Sequence, residues 1–211
     1  MRKSNSLRRH GPVRERLARF LIVCEGRVTE LCYFRELTHQ DRIPVSLQFE
    51  SGATPKTLVE TAARMKRDAE SAAKRARDQN LKFDEVWCVF DVDEHPYLPE
   101  AKQQARDNGI KTAVSNPCFE LWALLHFQDQ RAHIHRHQVQ HLCKQHMPGY
   151  EKRLPCAELM EKYDQALQRA IDLSRLHEGR GTIGDNPSTG AHELVQAIRS
   201  QRAAWPNQRP Q

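Results

Sequence analysis

The 211-residue chain lacks any long apolar run, so its sequence predicts no membrane-spanning helix. No stretch approaches the roughly 18 consecutive apolar residues that a span requires. The N-terminal residues contain no hydrophobic segment of the signal-peptide type. Hydrophobic residues make up 38% of the chain and charged residues 28%, which is the balance of an ordinary globular protein. We therefore expect a cytoplasmic protein with its own hydrophobic core.

A cysteine-pair motif and a nucleotide-binding motif are also absent. The chain has six cysteines: Cys24, Cys32, Cys88, Cys118, Cys143 and Cys156. They form no C-x-x-C pair, and several lie in apolar segments, so we expect reduced thiols that pack as small hydrophobic groups. There is no G-x-x-x-x-G-K-[ST] phosphate loop, so any ATP-dependent step would belong to a partner.

Positive charge is in modest excess, with a net charge of +6. Much of it lies in the N-terminal residues 1–17 and in the segment from Lys66 to Arg77. Such runs are typical of a flexible tail and a solvated helix face, and they are also compatible with contact to nucleic acid. The charge therefore favours a polyanionic partner without identifying one.

Apolar strands alternate with helices in the first part of the chain. The strand-like segments are "RFLIVC", "VSLQFES", "EVWCVF" and "IKTAVS". Their alternation with helices predicts an α/β fold with a mostly parallel sheet flanked by helices. From Gln128 onward strand signals stop, and helices are expected near 130–146, 157–177 and 190–203. We divide the chain into a basic flexible tail (1–17), an α/β core (18–128) and a helical extension packed on the core (129–211).

Acidic residues follow the predicted strands. Glu25 and Gly26 come directly after "RFLIVC", and Asp91 and Asp93 follow "EVWCVF". The segment "NPCFELWALLHF" predicts a helix with Asn116 as its N-cap and Pro117 as its first residue, and Glu120 lies in its first turn. Because ligands of an open parallel sheet bind beyond the carboxyl ends of the strands, we expect these groups at one edge. Their mutual repulsion would be relieved by a cation, and carboxylate oxygens suit Mg²⁺ or Mn²⁺. The sequence therefore predicts a divalent-metal site.

The alternative interpretation is structural. Glu25 could complement the dipole of the following helix, and Asp91-Val92-Asp93 could be turn residues. Because both groups follow apolar strands, the metal interpretation is favoured. A metal there could lower the pKa of a bound water and neutralise charge in phosphodiester hydrolysis, and Gly26 would allow the backbone to approach a phosphate.

Several segments resemble those of one protein family. They are "FLIVCEGRVTELCYF" with its E-G-x-x-T-E core, "VWCVFDVDEHP", "AVSNPCFELWALLHF" and, more weakly, "GYEK" and "NPSTGAHELV". In this order they resemble the RloB family of bacterial defence-associated proteins and, through it, the TOPRIM domain. The likeness covers nearly the whole chain, and the S-N-P-C-F-E-L-W segment is its most specific part.

This resemblance implies a TOPRIM-like core and assigns roles by motif. Glu25 would act as general acid or base or as a metal ligand, and Asp91 and Asp93 would bind Mg²⁺. Glu120 would be an additional ligand or would support one. Lys152 in "GYEK" would stabilise charge in the transition state, although a simply solvated lysine is the alternative.

The function expected from this resemblance is a Mg²⁺-dependent nuclease that acts on DNA or RNA in anti-phage defence. An AAA-type ATPase of the RloA kind would be its partner, and a homo-oligomer is compatible with the sequence. One alternative is a non-catalytic sensor or adaptor with the same fold. A D-x-D glycosyltransferase is another, but it leaves Glu25-Gly26 unexplained. A haloacid-dehalogenase-type phosphatase would need further motifs that the sequence does not show.

A histidine-rich segment, "RAHIHRHQVQHLCKQH", offers a second metal hypothesis. His133, His137 and His141 are spaced by four on a predicted helix, so they would share a face. No cysteine or carboxylate completes a known ligand pattern. A polar helix face is therefore the favoured interpretation.

Overall fold

The computed structural model describes residues 17–26, 28–43, 45–51, 54–92, 98–151, 153–182 and 184–204. One sheet contains strands β1 (Ala18–Cys24), β2 (Val45–Ser51), β3 (Glu85–Asp91), β4 (Lys111–Asn116) and β5 (Ser188–Thr189). The strand order is β2-β1-β3-β4-β5, in which β1 to β4 run parallel and β5 runs antiparallel to β4. The predicted α/β fold with a mostly parallel sheet is confirmed.

Helices flank this sheet. They are α1 (Thr29–Gln40), α2 (Pro55–Ala76), α3 (Leu98–Asp107), α4 (Glu120–Leu125), α5 (Arg136–His146), α6 (Cys156–Glu161), α7 (Tyr163–Arg180) and α8 (Ala191–Ala204). None of the described helices is both long and apolar enough to span a membrane. Strand β5 was not predicted, because a two-residue strand cannot show the alternation by which strands are recognised.

Successive residues of β1 enter two separate clusters, because side chains of a strand point alternately to opposite faces. Phe20 and Ile22 pack with residues of α1, α4 and the C-terminal helices α5 to α8. Leu21 and Val23 pack with α2 and α3 on the other face. Strand β1 lies between β2 and β3, which explains why every residue from Phe20 to Cys24 is buried. The C-terminal helices thus share one core with the sheet.

The sequence predicts a long basic helix with Thr54 as its N-cap, Pro55 as its first residue and an end at about Asn80, and α2 begins where predicted. Thr54 is its N-cap and accepts a hydrogen bond from the backbone N–H of Thr57, and Pro55 is its first residue. The helix ends at Ala76, about one turn before the predicted end. Arg77 then adopts a left-handed conformation with φ 52°, which closes the helix.

The start of α4 was predicted wrongly. The sequence suggested Asn116 as the N-cap and Pro117 as the first helical residue. Asn116 is instead the last residue of β4, and its side chain donates a hydrogen bond to the backbone carbonyl of Gly184. The helix begins at Glu120, and the carboxylate of Asp91 accepts a hydrogen bond from the backbone N–H of Phe119 just before it. A residue of the neighbouring strand therefore takes the role expected of a local cap.

The cysteines behave as expected. All six are free, and all except the half-buried Cys32 are buried. Burial raises the pKa of the Cys88 thiol to about 12, so it is protonated at neutral pH. These thiols pack as small hydrophobic groups.

Candidate active site: a carboxylate-lined cavity

A cavity of about 360 Å³ lies at the carboxyl ends of β1 and β3. Four carboxylates from four different positions in the fold line it: Glu25, Glu30, Asp91 and Glu120. Gly26, Val28, Thr29, Arg136 and Gln140 complete the lining. The structure thus brings together Glu25, Gly26, Asp91 and Glu120. Asp93 and Lys152 lie outside the described residues, and their roles stay predictions.

The register of the sheet places the first two carboxylates together. Cys24 pairs with Val89, and the backbone N–H of Glu25 donates to the carbonyl of Val89 at 3.1 Å. Asp91 ends β3 two residues later. The two acidic side chains therefore leave adjacent parallel strands at the same edge, as the sequence predicts for ligands of an open sheet.

Asp91 is buried and hydrogen-bonded through both oxygens. Its Oδ1 accepts from the backbone N–H of Phe119 at 2.8 Å, and its Oδ2 accepts from Nη2 of Arg136 at 2.6 Å. Burial raises the pKa of Asp91 well above its ordinary value. Glu30 adds to this rise and the Arg136 guanidinium opposes it, followed by smaller contributions from the other two glutamates.

Glu30 is a site residue that the sequence reasoning did not single out. It lies in the first turn of α1, and only 6% of it is exposed. Burial raises its pKa, and repulsion from Glu120 and Glu25 adds to the rise, while hydrogen bonds with the backbone of Glu30 and Gly26 act in the opposite direction. The signal was present in the sequence, because Glu30 is the second acid of the E-G-x-x-T-E core.

Gly26 lies against the Glu30 side chain. A Cβ atom at position 26 would be 2.8 Å from Cδ of Glu30, closer than two carbon atoms normally approach. The absence of a side chain at Gly26 therefore allows this carboxylate to lie against the backbone. The expected contact between the Gly26 backbone and a phosphate stays a prediction.

Glu120 is held by a residue of the C-terminal region. It is the first residue of α4, is 7% exposed, and its Oε1 accepts a hydrogen bond from the Tyr150 hydroxyl at 3.0 Å. Burial raises the pKa of Tyr150, and the neighbouring Glu120 adds to the rise. The tyrosine therefore stays protonated and acts as a donor to this carboxylate.

Arg136 is the second residue that the sequence reasoning missed. It is the first residue of α5, within the histidine-rich segment, and no local pattern distinguishes it from a solvated arginine. Its ion pair with Asp91 spans 45 positions in the chain. Only the packing of α5 on the core reveals it.

The donor set fits a hard divalent ion, because four carboxylates with oxygen ligands surround one cavity. Across the described ranges, however, no three His, Cys, Asp or Glu side chains are placed to hold a metal ion as they stand. Both oxygens of Asp91 are engaged by Phe119 and Arg136. Metal binding would therefore require a change of partner at Asp91.

The histidine-rich segment forms only part of the expected helical face. Helix α5 begins at Arg136, so His133 precedes it and only His137 and His141 lie on the helix. The ring of His133 contacts that of His135, with 5.1 Å between their centroids, and His133 lines one pocket together with His137 and His141. Among the described residues of this segment, too, no three such side chains are placed to hold a metal ion.

The fold and cavity define an α/β protein with an acidic site at the carboxyl edge of a parallel sheet. The chain belongs to the RloB-like protein family, whose model matches residues 20–198. The predicted family is therefore confirmed. No curated protein and no solved structure matches the chain.

Proposed function

We propose that this protein is a Mg²⁺-dependent nuclease that hydrolyses phosphodiester bonds of DNA or RNA in bacterial defence against phage. One observation carries the proposal: carboxylates that leave adjacent parallel strands and two helix starts line a single cavity. Oxygen ligands of this kind suit Mg²⁺ or Mn²⁺, and phosphodiester hydrolysis is a reaction that such ions assist. Membership of the RloB-like family agrees with this proposal.

We propose a separate role for each of these residues. Asp91, Glu30 and Glu120 would hold the ion, with Asp93 as a further ligand. The bound ion would lower the pKa of a water ligand and neutralise charge on the phosphate. Glu25 would orient the attacking water and accept its proton.

The proposed partners follow from charge and from a missing motif. A net charge of +6 favours a polyanionic substrate. The sequence has no phosphate loop, so ATP-driven control would come from a separate AAA-type ATPase of the RloA kind. The proposed site of action is the cytoplasm.

The first experiment tests cleavage directly. The purified chain is incubated with plasmid, single-stranded DNA and total tRNA, first with Mg²⁺ and then with EDTA. We expect cleavage of at least one substrate with Mg²⁺ and none with EDTA.

Two variants then test the residues. Glu25→Gln and Asp91→Asn are each expected to lower cleavage by about 100-fold or more, because the first removes the proposed general base and the second removes a proposed ligand of the ion. Both variants should still fold, as a thermal melt would show. Glu100→Gln, at an exposed glutamate of α3, is the matched control and should cleave normally. Unchanged cleavage by both site variants would reject the assignment.

A sensor or adaptor is the second candidate, and one contact favours it. Arg136 engages Asp91 and so supplies the site with a cation of its own. A protein of this kind would bind a partner and cleave no substrate. Absence of cleavage in every reaction, together with partner binding that is the same in Mg²⁺ and EDTA, would support this candidate over the nuclease.

A further inference from the structure

Among the described residues that line the cavity, Arg136 is the one cation. It extends from the first turn of α5 to the end of β3, where Nη2 lies 2.6 Å from Oδ2 of Asp91. The side chain of Asp91 is 10% exposed and that of Arg136 is 33% exposed. Arg136 is therefore the more exposed partner of this ion pair.

This ion pair leaves the cavity acidic. Four carboxylates face one guanidinium, and removal of charges from water is costly unless they are well paired. Arg136 is the neighbour that favours the ionised form of Asp91, whereas burial and Glu30 oppose it. A second cation would therefore be attracted to the same carboxylates.

The chemistry of arginine suits an exchange of anions. A guanidinium has five N–H donors in a planar fork, and this geometry matches a phosphate as well as a carboxylate. Gln140 lies one helical turn beyond Arg136 and lines the same cavity, so α5 offers an amide next to the guanidinium. The cavity lining thus combines hydrogen-bond donors from α5 with the four carboxylates.

We infer that Arg136 is a phosphate-binding residue that changes partner: it binds Asp91 in the metal-free protein and binds a phosphate oxygen of the substrate when Asp91 ligates a divalent ion. The inference rests on the proposed function, because it names the residue that receives the phosphate in that reaction. It also explains how an acidic cavity accepts an anion. The same guanidinium that neutralises Asp91 becomes available when the ion replaces it.

The first test measures metal binding without catalysis. Mn²⁺ is titrated into the full chain and followed by electron paramagnetic resonance. Arg136→Met should bind Mn²⁺ about tenfold more tightly than the parent, because a competing cation is removed from the carboxylates. Arg136→Lys keeps the charge and should bind Mn²⁺ like the parent. Arg131→Met, at an exposed arginine paired with Asp129, is the matched control and should not differ.

The second test measures phosphate binding, with inorganic phosphate as the probe in calorimetry. The parent should bind phosphate about tenfold more tightly with Mn²⁺ than without it, and Arg136→Met should lose this difference. Arg136→Lys should retain part of it, because lysine keeps the charge but not the planar fork. This variant also tests the role if the methionine variant fails to fold.

The inference is overturned if phosphate binds equally with and without Mn²⁺, or if both Arg136 variants retain the parent coupling. An unchanged Mn²⁺ affinity in a folded Arg136→Met protein also overturns it. Neither measurement requires cleavage. A parent that shows the coupling but cleaves no nucleic acid would therefore refute the nuclease proposal and support the role of Arg136.

Discussion

Replacement of Gly26 by alanine displaces the Glu30 carboxylate by a distance that the structure defines. A Cβ at residue 26 would lie 2.8 Å from Cδ of Glu30, whereas non-bonded carbon atoms are normally about 3.5–4.0 Å apart. The carboxyl group must therefore move by about 1 Å. Because a misplacement of about 1 Å can reduce a catalysed rate by about 100-fold, we expect a loss of this size in Mg²⁺-dependent cleavage, and weaker Mn²⁺ binding.

The same substitution should not unfold the protein. Gly26 does not have the left-handed backbone conformation that disfavours alanine, and the atoms displaced belong to the end of a flexible side chain. Alanine also lowers the conformational entropy of the unfolded chain relative to glycine. This effect stabilises the folded protein by about 0.4–1 kcal/mol where the native backbone conformation suits alanine. The free energy of unfolding in urea should thus change little while cleavage falls.

Gly179 provides a matched control for this prediction. It lies within α7, and a Cβ there would meet nothing within 4 Å beyond its chain neighbours and the adjacent backbone of its own helix. Gly179→Ala should stabilise the protein by up to about 1 kcal/mol, as is usual for glycine replacement in a helix, and should leave cleavage and Mn²⁺ binding unchanged. If Gly26→Ala retains parental cleavage and Mn²⁺ affinity, the placement of Glu30 against Gly26 has no functional role and the reasoning is refuted.

Two further predictions concern pH. The pKa of Glu30 is raised in the folded state, so the native protein binds more protons than the unfolded chain and loses stability as pH rises above about 4.5. Glu30→Gln should therefore have a higher melting temperature than the parent at pH 7 in EDTA. A lower melting temperature would contradict this prediction. Burial lowers the pKa of His126 to about 4 in the folded protein, so this histidine is protonated in the unfolded chain first as pH falls. The free energy of unfolding should therefore decrease between about pH 6.5 and pH 4, by up to about 3 kcal/mol. In His126→Phe, urea unfolding at pH 7 and pH 4.5 should show a smaller difference, and an equal difference would exclude this histidine as the cause.

The sequence predicted the parts of the site that depend on strands. Apolar segments identify β1 and β3, and parallel strands that share a sheet end at a common edge. Glu25 and Asp91 could therefore be placed together without any knowledge of side-chain contacts. Glu120 followed from the same reasoning, although its helix begins later than its local sequence suggests.

The contacts that complete the site could not be predicted in the same way. Arg136 reaches Asp91 across 45 positions, and Tyr150 reaches Glu120 across 30. No period or spacing in the sequence links such pairs, because they depend on how α5 and the segment after it pack on α4 and the sheet. Glu30 is a different case, since its motif was visible and only its orientation toward the cavity was not.

The contacts of Arg136 with Asp91 and of Tyr150 with Glu120 make α5 and the segment after it part of the site. Val139 and Cys143 of α5 are buried in the same core as Phe20 and Ile22 of β1, so α5 is fixed to the sheet by apolar packing. A fixed helix holds the guanidinium of Arg136 beside Asp91 and thereby limits access of a cation to that carboxylate. A partner that shifts α5 relative to the sheet would change this ion pair, so the ATPase proposed above would have a direct physical means of controlling the proposed metal site.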